Sequence, residues 1–262
     1  MSGWQQGKGK SVYMYKMTTS LIIGLLLIFA QQSQAATVNK FIEPETRQEL
    51  QAYRLIKTIE PQIQQLYLAL PMQAKLTVVY GAQDGPLFDP ELMQIQVPYH
   101  FVSEVLNRFT KDQYQQTGVT PKQATKDALL HTLGHEYGHA YIYANEVIVL
   151  GREEDAVDTL ATLLLINAFD NGTEIALSTA DLFALEDEEI DELVEDDFSN
   201  EHSLDAQRYH ATLCLIYGSD PQKYAGLLAD SAQREDRAAM CEQEYGRQSD
   251  NWDRLTSSDL TQ

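Results

Sequence analysis

Residues 135–139 read His-Glu-Tyr-Gly-His. Two imidazoles four positions apart share one face of an α-helix, so both can turn a ring nitrogen toward one cation. Zinc suits such a pair: it accepts imidazole nitrogen and lowers the pKa of a bound water toward about 7. Glu136 projects beside the pair, where its carboxylate can take that water's proton. The nucleophile so formed would attack a carbonyl that the ion polarises. His135 and His139 are therefore candidate zinc ligands and Glu136 a candidate general base. Chance also produces this five-residue string, so its surroundings matter. Here Leu129, Leu130 and Leu133 precede it, and Gly134 and Gly138 leave the helix surface open to close approach.

A catalytic zinc takes a third protein ligand and keeps one position open. The metzincin pattern would require a glycine at 142 and a histidine at 145, but these are Ile142 and Asn145. A glutamate on the following helix is the other common solution, and residues 151–158 (GREEDAVD) supply it. Glu154 and Asp158 stand four apart, about 40° from one another around a helix axis. Glu154 is the expected ligand. Asp158 is the expected acceptor of a hydrogen bond from a ligand imidazole, which fixes the tautomer of that ring. Glu153 falls roughly 140° from Asp158. It shares a stripe with Val157, Leu160 and Leu164 and reads as an acid at a helix start, where the helix dipole favours it.

The other histidines carry less. His131, one turn before His135, reads as a helix-surface residue or as a partner behind the ligands. His202 opens a later helix; it, Arg208 or Tyr209 is a candidate for stabilising the oxyanion, with His202 placed first. His100 and His210 have no argued role.

The elements that must position these groups follow from apolar spacing. Residues 121–144 predict one long helix, with Thr120 as N-cap and Pro121 in its first turn. A second helix is predicted over 152–168, and others over 44–60, 99–109, from 179, over 203–218, 221–229 and 235–245. Pro61 should end or kink the first of these. Residues 75–80 (KLTVVY) and 93–97 (MQIQV) read as strands that could pair as an antiparallel hairpin around a long loop. MQIQV is also a candidate edge for an extended peptide, or an ordinary covered strand. The acidic run 186–197 reads as a solvated face; it lacks the spaced ligands and glycine of an EF-hand loop. The expected class is α+β, mostly helical, with a small antiparallel sheet or hairpin.

The chain has 262 residues and a formal net charge of −20. That charge repels nucleic acid and anionic lipid, so neither is an expected partner. Residues 1–35 read as an export signal: Lys8, Lys10 and Lys16, then the apolar run 21–30, then Ser33-Gln34-Ala35 for cleavage before Ala36. The alternative is an uncleaved anchor. Cleavage would leave residues 36–262 as one domain, periplasmic or secreted, with no stable membrane insertion. Export permits a disulfide between Cys214 and Cys241; two buried thiols are the alternative.

HTLGHEYGHA followed by GREEDAVDTLA resembles the gluzincin arrangement, thermolysin-like in its H-E-x-x-H then E-x-x-x-D order. It is more similar still to a bacterial family of proposed zinc metallopeptidases. Further matching segments are residues 201–205 (EHSLD), Gln207-Arg208, Cys214, residues 217–221 (YGSDP), Cys241 and Glu244-Tyr245. The family's hairpin, matched by Phe88-Asp89-Pro90 and MQIQVPY, commonly carries a cysteine pair; this chain has no cysteine before Cys214. The resemblance implies a zincin-like fold and zinc-dependent hydrolysis of a peptide or protein. A zinc-binding module without catalysis, or hydrolysis of a non-peptide amide, stands beside it.

Overall fold

A computed structural model of the chain describes residues 37–228 and 234–257. The expected signal and its cleavage point before Ala36 lie outside the described residues. Four strands form one sheet: β1 (Val38–Phe41), β2 (Thr77–Tyr80), β3 (Leu87–Asp89) and β4 (Gln94–Val97). The helices are α1 (Arg47–Thr58), α2 (Glu60–Ala69), α3 (Tyr99–Lys111), α4 (Pro121–Ala144), α5 (Glu153–Ala168), α6 (Gly172–Asp187), α7 (Glu195–Ser199), α8 (Asp205–Ser219) and α9 (Arg234–Thr256). The chain is thus α+β and mostly helical.

The sheet departs from the expected hairpin. Its order is β1-β2-β4-β3, and β2 pairs with β4 in parallel, not antiparallel. The antiparallel partner of β4 is β3, which lies within the segment read as a loop; this pair is the hairpin that the resemblance implied at Phe88-Asp89-Pro90 and MQIQVPY. The connection between β2 and β4 is long enough to hold that extra strand. Asp89 Oδ1 then accepts from the Glu91 and Leu92 amides at 2.9 and 3.0 Å and closes a tight turn back into β4. β4 therefore lies inside the sheet, and β3 is the edge on its side. β1 pairs in parallel on the far side of β2. It was not anticipated, because four residues of mixed polarity (VNKF) carry little pattern.

Helix α4 is the axis of the molecule. Thr120 Oγ1 accepts from the Gln123 amide at 3.2 Å, and Pro121 occupies the first turn, where its missing N–H costs nothing. Buried residues lie on all its sides, from Ala124 through Leu133 to Ile142, because α1, α2, α3, α5 and α6 surround it. The central core joins Leu133 and Tyr137 of α4 to Ile56, Ile63, Leu66, Val97 and Leu165. The helix breaks at Pro61 as expected: α1 stops at Thr58, and Pro61 sits in the first turn of the next helix, α2. Helix α6 starts at Gly172, seven residues before the expected 179, and α9 runs on to Thr256.

The glycines of the motif act as expected. A Cβ at Gly138 would stand 3.0 Å from Val157 Cγ1, and one at Gly134 3.2 Å from Ala161 Cβ. Their absence brings α5 against α4 beside the motif histidines. Helix α8 packs on α5 and α6, and α9 packs on α8. Cys214 and Cys241 form a disulfide that ties α8 to α9.

Candidate metal centre

His135 and His139 project from one face of α4, with their Nε2 atoms 3.2 Å apart. Glu154, in the first turn of α5, reaches across to both: its Oε2 lies 3.0 Å from His135 Nε2 and its Oε1 3.3 Å from His139 Nε2. A third imidazole arrives from the segment before α8. His202 Nε2 stands 2.9 Å from Glu154 Oε2, and its ring stacks on that of His135 at 5.7 Å between centroids. Glu136 is 6% exposed and lines the same cleft.

The outer nitrogens of the two motif histidines are also held. His135 Nδ1 lies 2.7 Å from Asp158 Oδ1, the contact expected of Asp158. His139 Nδ1 lies 2.8 Å from Glu153 Oε1. Glu153 was read only as an acid at a helix start over an apolar stripe. Near the helix start its long side chain reaches sideways to the His139 ring, so the angle around an ideal helix did not decide its contact. Arg208 was considered for the oxyanion; instead its Nε and Nη2 meet Asp158 Oδ2 and Oδ1 at 2.8 and 3.0 Å. Tyr209 packs against the apolar contact between α6 and α8. Neither Arg208 nor Tyr209 lines the cleft. His131 is no surface residue: it is 2% exposed, with Nε2 3.2 Å from Thr162 Oγ1.

The electrostatics follow from the crowding. Burial pushes the His135 pKa down, but the adjacent Asp158 and Glu154 carboxylates outweigh it and raise it to about 9. Burial likewise lowers and the Glu154 and Glu153 carboxylates raise His139, with a net rise. Burial alone would raise Glu154, yet the three imidazoles hold it well below the usual carboxylate range. Glu136 is pushed up, chiefly by burial. The cleft, about 1010 Å³, is also lined by Leu87 and Phe88 of β3 and by Tyr143, Glu146 and Glu201.

A family model described as "Putative metallopeptidase" (DUF4344) matches residues 37–256. The chain belongs to this metallopeptidase family. Neither curated proteins nor solved structures give a match.

Membership of a metallopeptidase family implies a metal, and the donor set fits one. Donor atoms of His135, Glu154 and His202 lie within 4.8 Å of one another. Glu154 Oε2 is buried and receives no hydrogen bond, although two imidazole nitrogens lie within 3.0 Å. A cation would satisfy that oxygen and take up the imidazole nitrogens gathered around it. His202 belongs to this donor group by distance, which its position in the sequence, 63 residues beyond the motif histidine at 139, did not reveal.

Proposed function

We propose that this protein is a zinc-dependent peptidase of the cell envelope, in which His135, His139 and Glu154 hold the metal and Glu136 is the general base. The observation that carries this reading is the convergence of both motif imidazoles on Glu154 in a cleft that Glu136 also lines. When bound, zinc would polarise the scissile carbonyl and acidify water. The chain's own groups do the rest. Glu136 takes a proton from the attacking water on its carboxylate and returns it to the departing amide nitrogen. Burial raises its affinity for that proton. Asp158 and Glu153 keep the ligand rings turned by accepting from Nδ1. An extended peptide would add to the free edge of β3, which borders the cleft; β4, first considered for this part, already has neighbours on both sides. The envelope location rests on the export signal and the disulfide. Glu136→Gln should retain one zinc per chain and lose hydrolysis of an unfolded protein by at least about 100-fold. Hydrolysis by this variant at the parent rate would remove Glu136 from its role.

A second reading has an observation of its own. His202 Nε2 is as near to Glu154 as the motif histidines are. Four protein donors around zinc make a closed, structural site. In that case the domain holds a metal without hydrolysing anything. If His202 instead faces a substrate oxygen, as first expected, it stabilises the oxyanion. His202→Ala separates the two: loss of zinc indicates the closed site, and retained zinc with slowed hydrolysis indicates the open one.

A further inference from the structure

Helices α5 and α8 meet behind the metal centre through one charged pair. Asp158 sits on α5 and Arg208 on α8, and both side chains are largely buried. The contact is two-pronged: Arg208 Nε donates to Asp158 Oδ2 at 2.8 Å, and Nη2 to Oδ1 at 3.0 Å. Asp158 Oδ1 also accepts from His135 Nδ1 at 2.7 Å. The guanidinium is held on two more sides. Its plane rests over the Phe183 ring at 4.0 Å, and Nη1 reaches Asp205 Oδ1 at 3.4 Å. A planar fork donating to both oxygens of a carboxylate fixes the carboxylate plane as well as its position.

We infer that Arg208 is a positioning residue of the metal centre: by clamping Asp158, it holds the His135 ring with Nδ1 as the donor and Nε2 turned toward the ligand group. The inference rests on the reading of His135 as a metal ligand. Its logic is one of donors and acceptors. An ionised carboxylate only accepts, so the ring nitrogen facing it must carry the hydrogen. The remaining nitrogen then keeps its lone pair for a cation. Without Arg208, Asp158 would be a largely buried carboxylate with one side-chain partner, free to turn, and turning would release the ring. Glu153 does the matching service for His139 without any such clamp, and it is half exposed. The two ligand histidines are therefore held unequally, and His135 is the fixed one.

An alternative is that Arg208 merely joins α5 to α8. Zinc affinity of the folded protein distinguishes the two, together with a cavity of about 860 Å³ on the far side of α5, lined by both Asp158 and Arg208. Through that cavity a small cation can reach the place of a deleted side chain. Zinc dissociation constants, measured on the full chain by competition with a chromophoric chelator, should weaken about 10- to 100-fold in Arg208→Ala. Methylguanidinium at millimolar concentration should restore part of the loss, whereas sodium chloride at equal ionic strength should not. Arg208→Lys should fall between, since an ammonium cannot fork onto two oxygens. Parental zinc affinity in folded Arg208→Ala, or in Arg208→Lys if the alanine variant does not fold, overturns the inference. A second readout needs no metal. In metal-free parent protein the His135 Nδ1–H should give a slowly exchanging, downfield proton resonance, which Arg208→Lys should broaden or lose. An unchanged resonance also overturns the inference. If the parent binds no zinc, the proposed function fails, while the resonance still decides what Arg208 does.

Discussion

Glu153 and Glu154 are neighbours in the chain, yet they meet opposite nitrogens of His139. Glu154 faces Nε2 at 3.3 Å, and Glu153 accepts at Nδ1 from 2.8 Å. Elemental analysis of folded variants should find Glu154→Gln stripped of most zinc. Glu153→Gln should keep its zinc with affinity weakened by no more than about 10-fold. The reverse pattern would move the ligand by one residue. His131 gives a test by acid. Burial pushes its pKa down to about 4, so the folded chain keeps it neutral. The unfolded chain binds a proton there near pH 6.5. Its contribution to stability is therefore present above pH 6.5 and lost as pH falls toward 4. His131→Gln should shrink the stability difference between pH 7 and pH 5 by roughly 2 kcal/mol, read from urea denaturation at each pH. The motif histidines, Glu154 and Asp158 were legible because spacing on a helix fixes which side chains share a face. The closeness of His202 to Glu154, the grip of Arg208 on Asp158 and the contact of Glu153 were not, since each depends on where a second element comes to rest or on how far a long side chain leans.

Helices α4 and α5 carry every motif donor, and their closeness depends on Gly138. A methyl group there would press on Val157 at 3.0 Å from Cγ1 and 3.1 Å from Cβ. Val157 is fully buried and β-branched, so it has little room to yield. Gly138→Ala gains helix propensity of about 1 kcal/mol but forces α5 away. The net should be a loss of about 1 kcal/mol, and zinc should weaken with it because Glu154 moves with α5. A variant as stable as the parent, with parental zinc affinity, would show that the two helices have slack. Helix α4 itself could be read to its ends from Thr120, Pro121 and the apolar run, since its capping is local chemistry. The sheet could not. Strand pairing is a choice among distant partners, and β3, only three residues long, gains its identity from the hydrogen bonds of β4 rather than from any pattern of its own.

Across the molecule, the Cys214–Cys241 bridge spans 27 positions and fastens α9 to α8. A loop of that length restricts the unfolded chain by about 3 kcal/mol. Reduction should lower Tm by roughly 6–12 °C in a scanning calorimeter, while zinc stoichiometry at low temperature stays unchanged. An unaltered Tm would mean that packing alone holds α9. Among the described residues no helix is long and apolar enough to cross a membrane. The donors themselves are spread unevenly along the chain. His135, His139 and Glu154 fall within one helical hairpin, whereas His202 joins from 48 residues beyond Glu154. Closing a short loop is faster and costs less entropy than closing a long one. During refolding the hairpin can therefore catch a metal ion first and shut on His202 afterwards, so the ion would serve as a nucleus around which the later helices are collected. In stopped-flow refolding, added zinc should then speed an early phase, and His202→Ala should leave that acceleration intact.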